Sequence, residues 1–428
     1  MKIPDPEHAL DYFITVLKHL VSKSKKSKKK YKNNKFKKRQ PWITDAIIQS
    51  SITKNNLHTK SLKNPKNLSL KNEYKEYLKI YKKVISVAKS NYEKEQVKKR
   101  LNNSRKLWQY INSKINNKVK NNSQMNYLIN EKNQKIYHKL EIANEFNSFY
   151  ENVGNNLAKK IKKETINYNI IKKCDYTFYL YPTSTVEIIR VIKNMADKTG
   201  GVDNINKKVL VTLSSYIVMP LEHIFNLCFI YDKWPTGLKT ANIIPIYKSG
   251  DKQFTTNYRP ISLISNLAKV LEKLLHFRIL RFIKKNNILF DNQFGFRKNI
   301  GTKEALAHIT NILYSHVNMS LPTVVTYLDL GKAFDTVQYN ILYKKLSIYG
   351  FRGKILNLIK SYLTGRKQSV IVNNVRSAYT TVSVGLPQGT ILGPLLFILY
   401  INDIFNILPK DVIISYADDT AVVSSDRT

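Results

Sequence analysis

The 428 residues predict an α+β fold behind a basic, mainly helical N-terminal extension. Two textures carry the prediction. Apolar residues recur every three or four positions through much of the first third, and short apolar strands alternate with amphipathic helices after Pro235. Charge is the third observation. Lys and Arg number 71 against 30 Asp and Glu, a formal net charge of +41, and such an excess opposes compaction unless a polyanion offsets it. Nucleic acid is the partner that this balance implies.

Composition also excludes several classes. Two cysteines, Cys174 and Cys228, cannot build a disulfide framework or a cysteine-rich zinc site. An intracellular, reducing compartment is therefore expected. No apolar run reaches the ~18 residues that suggest a membrane span, and Ile391–Ile401 is interrupted by Gly393 and Pro394. The N-terminus has no short apolar segment followed by a small-residue cleavage site, so secretion is not expected.

The elements read in order as follows. Residues 23–39 (KSKKSKKKYKNNKFKKR) form a lysine run too polar to fold alone, open to three readings: a solvated tail, a nuclear-import signal or a phosphate-binding arm. Tyr74, Leu78, Tyr81, Ile85, Ala88 and Tyr92 mark a helix, its aromatic stripe suited to packing more than to base stacking. Leu101, Leu107, Trp108 and Ile111 predict a second helix beyond Asn102–Asn103. Ser184 and Glu187 have capping-box spacing ahead of a face made by Val186, Ile189, Ile192 and Met195. KTGGVDNI (198–205) breaks that helix, and a single apolar helix is expected from Val209 to Tyr231. Strands follow at Ala241–Tyr247, Thr323–Leu328, Val412–Tyr416 and Ala421–Ser424, with helices at Ala268–Lys284, Thr302–His316 and Asn340–Tyr349. The expected organisation is an extension over 1–165 with a disordered stretch near 21–40, a helical segment over 166–235, and the α+β module over 236–428.

The chemistry sits on carboxylates. Asp418 and Asp419 lie at the turn of a hairpin between apolar strands, and Asp329 ends another apolar strand. An Asp pair alone is an ordinary turn, and an Asp after a strand is an ordinary cap. If those strands are neighbours, the three carboxylates together suit two hard divalent cations, which take few protein oxygens and leave room for phosphate and water.

The text around these residues resembles the reverse transcriptases of non-LTR (LINE-type) retrotransposons. YADDT (416–420) is similar to the box holding two metal-binding aspartates, and YLDLGKAFDTV (327–337) to the box holding the third. GLPQGTILGPLLFILYINDI (385–404) resembles the Pro-Gln-Gly box. IIPIYKSGD (243–251), NYRPISLIS (257–265) and QFGFRKNIGT (293–302) resemble the fingers boxes, in the family's order. KTGGVDNI resembles the element before the fingers, and PWIT (41–44) the stretch between endonuclease and reverse transcriptase. Gly331 stands where the family usually has serine, and Gln338–Tyr339 where it has Asp-His.

The resemblance implies fingers and palm, with an antiparallel palm sheet backed by helices. It also implies a chain without the family's endonuclease and thumb regions. Asp329, Asp418 and Asp419 would hold two Mg²⁺ ions, or Mn²⁺ in their place, while Asp335 has no assigned metal role. Lys248 and Arg259 would reach the incoming triphosphate, and Phe334 would lie beneath the sugar and exclude a 2′-hydroxyl. Gln388 would position nucleotide or template through its amide, and Gly385 and Gly389 would let template and primer approach the backbone. Arg297 is either a template-phosphate contact or a structural salt bridge. The implied reaction is RNA-directed DNA synthesis: a primer 3′-hydroxyl attacks a dNTP on an RNA template. The alternative is a catalytically inactive nucleic-acid-binding remnant. A two-metal nuclease explains the aspartates but not the fingers boxes. A nuclear destination rests on the lysine run alone, and the sequence names no protein partner.

Overall fold

The computed structural model describes residues 3–24, 40–115, 125–130, 133–160, 167–196, 200–203, 205–408 and 410–425. Most of the lysine run (25–39), with Lys198, Thr199 and Asn204 of KTGGVDNI, lies outside the described residues. Two compact units divide the chain: Met1–Lys25 with Met125–Thr428, and Lys26–Gln124. This differs from the expected extension over 1–165, because both ends of that segment belong to the larger unit. The physical reason is apolar burial. Leu10 and Leu17 of α1 (Pro6–Ser24) and Phe146 further on are sealed in the same core as the α+β module.

The smaller unit holds α2 (Asp45–Lys63), α3 (Leu68–Lys98) and α4 (Ser104–Ile115). Thr44 and Asn67 cap α2 and α3, each side chain accepting a backbone N–H of the first turn. The expected aromatic stripe does face its neighbour helix. Tyr77 shares a 2.9 Å hydrogen bond with Ser50, His58 lies 4.9 Å from Tyr74, and Lys54 sits over the Tyr81 ring.

The larger unit continues with the short pair β1 (Leu128–Ile129) and β2 (Lys135–Ile136), then α5 (Lys139–Lys160) and α6 (Thr185–Asn194). Ser184 caps α6 as expected, accepting the Glu187 N–H, but the box is not reciprocal: the Glu187 carboxylate turns to Arg278 instead. The helix expected over 209–231 is two helices, α7 (Lys207–Thr212) and α8 (Ser214–Ile230). Leu213 leaves helical geometry between them, and the Ser214 hydroxyl donates to the Val211 carbonyl freed by the break.

Next come β3 (Thr240–Tyr247), β4 (Tyr258–Ile264), α9 (Asn266–Lys285), α10 (Thr302–Asn318), β5 (Thr323–Leu328), α11 (Tyr339–Ile348) and α12 (Lys354–Leu363). The chain ends its regular structure with β6 (Arg366–Val372), β7 (Val375–Arg376), β8 (Thr380–Val382), α13 (Leu392–Tyr400), β9 (Val412–Tyr416) and β10 (Asp419–Ser425). A five-stranded sheet runs β4-β3-β6-β7, with β8 also on β6, and β3 and β6 are parallel. A three-stranded antiparallel sheet runs β5-β10-β9. The fold is α+β, and the strands expected at 241–247, 323–328 and 412–416 are present.

One extended core joins α1, α5–α9 and α11–α13. The three-stranded sheet has its own smaller core, where Ile309 of α10 meets Ile414, Ala421 and Val423. The carboxylate hairpin is therefore braced from below by a helix. Among the described residues no helix is long and apolar enough to cross a membrane.

Candidate active site

Hairpin register sets the positions of the carboxylates. Tyr416 pairs with Asp419 across β9 and β10, so Ala417 and Asp418 are the two turn residues. Thr420 of β10 pairs with Leu328 of β5, and one step further along the same register sets Asp329 beside Asp419. Side chains of successive strand residues alternate in face, and the apolar members of each strand fill the small core below. Polar residues at the strand ends are thereby left above it. Asp329 and Asp419 are exposed and Asp418 is half-buried.

The backbone register brings the three aspartates to one end of the sheet. Among the described residues no three His, Cys, Asp or Glu side chains form a metal-binding group. Like charges repel at short range, and a divalent cation offsets that repulsion. The donor set fits such a cation: all hard oxygen ligands, carried on paired strands and open to a ligand from above.

The tip of the hairpin is held by residues that sequence reasoning passed over. Ala417 has φ 61, a left-handed conformation costing a non-glycine residue roughly 1–2 kcal/mol. Its N–H donates to Gln293 Oε1 at 3.0 Å, and the same oxygen accepts the Gly295 N–H at 2.8 Å. The backbone of residues 292–294 runs along β9, with Ser415 N–H donating to Asn292 and Phe294 N–H to Ser415. Gly295 lies so close to the turn that a Cβ there would sit 2.2 Å from the Ala417 nitrogen. Across the hairpin, the Ser415 and Thr420 hydroxyls share a buried 2.9 Å hydrogen bond. The signal in sequence was a glutamine and a glycine flanking a phenylalanine, quoted inside QFGFRKNIGT but given no role.

The cations come from a different hairpin. Lys248 and Arg259 lie on β3–β4, where Ile246 pairs with Arg259 and Lys248 N–H donates to the Asn257 carbonyl. They are diagonal neighbours on one face, and both are exposed. A third cation joins them. Lys332, in the loop after Asp329, extends to the same turn and donates to the Thr256 carbonyl at 3.3 Å. Burial and the charges of Lys248 and Arg259 hold its ammonium below the usual lysine range, opposed by nearby Asp335. Sequence reasoning missed Lys332 because one lysine among so many carries no signal of its own.

The remaining expected site residues are placed as follows. The Phe334 ring is half-buried, stacked on Phe397 of α13 at 4.4 Å with Phe296 edge-on at 6.0 Å. Gln388 joins two boxes, its amide donating to Asp335 Oδ1 at 3.1 Å while its carbonyl accepts the Ser262 N–H of β4. Burial pushes the Asp335 carboxyl up, and the Gln388 bond acts against that shift. Gly385 and Gly389, with φ 88 and 94, approach protein backbone: a Cβ would lie 2.8 Å from the Asp335 carbonyl oxygen and 3.3 Å from that of Ser262. Arg297 is turned onto its own loop. Its Nη1 donates to the carbonyls of Phe290, Asp291 and Gln293, with Asp291 Oδ1 at 3.7 Å from Nη2, the geometry of a structural clamp.

Residues 246–428 match the model of the family described as reverse transcriptase (RNA-dependent DNA polymerase). That segment is similar to reverse-transcriptase domains, and the relatives it matches are named as RNA-directed DNA polymerases of transposons and mobile elements. Over 57% of its length the chain is 31% identical to the probable RNA-directed DNA polymerase from transposon BS of Drosophila melanogaster, covering 28% of that protein. It is 32% identical, again over 57%, to the RNA-directed DNA polymerase from mobile element jockey of Drosophila funebris, covering 27% of it. The chain thus spans little more than a quarter of the length of these relatives. A solved structure of apo telomerase from Candida tropicalis, truncated from its C-terminal domain, aligns with TM-score 0.34 and 13% identity, covering 52% of this chain and 58% of that one.

Proposed function

We propose that the chain catalyses RNA-directed DNA synthesis by two-metal nucleotidyl transfer. The observation that carries the reading is the β5–β10–β9 register, which stacks Asp329, Asp418 and Asp419 at one sheet end within a segment similar to reverse-transcriptase domains. These carboxylates would hold two Mg²⁺ ions, or Mn²⁺, whose chemistry is to activate the attacking oxygen and stabilise the leaving one.

The chain's own residues do the positioning. Lys248, Arg259 and Lys332 form an anion-binding face for the triphosphate, the lysines as point charges and the arginine as a fork. Phe334, stacked on α13, gives a fixed wall beneath the sugar that favours deoxynucleotides. Gln388 and the two glycines lock the Pro-Gln-Gly loop onto β4 and the Asp335 loop, so their contribution to template and nucleotide passes through loop position. Arg297 contributes by holding the loop that grips Ala417. The substrates are an RNA template, a DNA primer and dNTPs. A nuclear destination follows where the DNA primer is chromosomal, and the lysine run 23–39 has the composition of an import signal.

The alternative is a catalytically inactive nucleic-acid-binding remnant, which keeps the fold and the charge but does not extend a primer. Primer extension on an RNA template with Mg²⁺ separates the two. The wild-type chain is expected to extend the primer and the Asp418→Ala/Asp419→Ala variant to fail, with equal duplex affinity. Equal, negligible extension by both would establish the remnant.

A further inference from the structure

The smaller unit lies outside the segment that matches the reverse-transcriptase family, and its surface has a property of its own. Residues 40–115 carry 17 Lys and Arg against five Asp and Glu. Its longest helix, α3, buries no residue fully, so burial of an apolar face contributes little to it.

Between Lys71 and Ser90, charge on α3 is sorted by face, and Glu93 closes the lysine arc one turn further on. At 100° per residue, Lys71, Lys75, Lys79, Lys82 and Lys89 fall within about an 80° arc. Ser86 fills a gap on that arc, Asn72 and Ser90 border it, and all eight residues are exposed. The face runs ~28 Å along the helix axis at 1.5 Å per residue. Among the described residues the side chains of Lys71, Lys75, Lys79 and Lys82 make no ion pair or hydrogen bond, while Glu93 and Glu95 pair with Lys114 and Lys99. Like charges at i, i+4 spacing destabilise a helix, so the stripe is a standing cost unless an anion covers it.

We propose that this face of α3 docks on the phosphate backbone of double-helical nucleic acid. Lysines carry the charge, and the short Asn and Ser side chains between and beside them donate hydrogen bonds while letting phosphates approach closely. A duplex presents one phosphate per ~1.7 Å of axis, dense enough to meet every lysine on the stripe. A single strand is disfavoured because it needs free rings on which to stack. Four rings beside the stripe are engaged, Tyr74 with His58, Tyr77 with Ser50, Tyr81 under Lys54 and Trp42 under Lys89, while Trp108 of α4 is exposed. Between Lys71 and Ser90 the lysine face has no large apolar residue to insert, Leu68 lying one turn before it, so a membrane surface is disfavoured.

The test uses the full chain and a fluorescently labelled 20-base-pair RNA duplex, titrated by anisotropy across a salt series. The variant is K71Q/K75Q/K79Q/K82Q. Its control, K159Q/K172Q/K193Q/K208Q, removes the same charge from exposed lysines of the larger unit. Glutamine has nearly the helix propensity of lysine, and far-ultraviolet circular dichroism confirms the fold. The stripe variant is expected to lower the log–log salt slope by about 3–4 and the control by less than about one. The four-fold Lys→Arg variant is expected to keep the wild-type slope. Equal losses in stripe and control, or single-stranded RNA affected as much as the duplex, would overturn the proposal. Primer extension measured alongside keeps the outcomes apart, since the duplex slope does not depend on Asp329, Asp418 or Asp419.

Discussion

Ala417 occupies the left-handed region at the first turn position of the carboxylate hairpin, where a two-residue loop ordinarily takes glycine. The surrounding contacts fix it there: the Gln293 oxygen holds its N–H, and Gly295 leaves room for its backbone. Two substitutions separate strain from positioning. Ala417→Gly relieves the backbone and is expected to raise unfolding free energy by about 1 kcal/mol in urea denaturation. Gly295→Ala puts a carbon 2.2 Å from the Ala417 nitrogen, so the turn must move. Primer extension is expected to fall at least about tenfold, the effect of a ~1 Å misplacement of reacting groups or more. Wild-type extension by Gly295→Ala would show that the turn's placement is immaterial. The positions of the three aspartates at strand ends, and of Lys248 and Arg259 in the fingers boxes, were legible in the sequence because each stands in an ordered box. Gln293, Gly295 and Lys332 were not, since their roles arise from contacts across 124 positions or to a hairpin turn that no local pattern announces.

At the scale of elements, α6 and α9 are joined through Arg278. Its side chain is fully buried, pairs with Glu187 at 2.7 Å, and also donates to the carbonyls of Tyr181, Pro182 and Leu274. Removing one partner of such a pair strands the other, at about 3–5 kcal/mol. Arg278→Met is expected to lose that much in urea denaturation, and a loss below about 1 kcal/mol would contradict the role. His276, nearby on α9, is pushed down to about 4 by burial and by Lys273, and its buried Nδ1 has no hydrogen-bond partner among the described residues. It is neutral in the fold and titrates near 6.5 when unfolded. Its contribution to stability is full above 6.5 and is lost as pH falls from there to about 4. His276→Gln is expected to flatten the fall in Tm over that window, and an unchanged fall would place the acid sensitivity elsewhere. Period alone revealed α9, α10 and α11. It did not reveal α13, apolar on all sides because it is buried on all sides, or β6, whose Lys367, Gln368 and Ser369 break the alternation.

Over the whole molecule, the five-stranded sheet carries the cations and the three-stranded sheet carries the carboxylates. The Lys332 loop and the Gln388 loop span the interval between them. The α+β class could be read from the alternation of elements, but the split into two sheets could not. Strand pairing is long-range, and β3 meets β6 across more than a hundred residues. The compact units also differ from those that local texture suggested. Strong lysine content after α1 suggested one continuous extension, whereas Leu10, Phe13 and Leu17 tie α1 to the main core.

The central claim is that Asp329 and the Asp418–Asp419 turn act as one metal-binding set. The most direct measurement is single-nucleotide incorporation on an RNA–DNA primer–template, followed across a Mg²⁺ titration for wild type, Asp329→Asn and Asp419→Asn. If the claim holds, each single variant removes incorporation at every Mg²⁺ concentration while binding the duplex with wild-type affinity. If Asp329→Asn incorporates at the wild-type rate and Mg²⁺ midpoint, the shared site is contradicted.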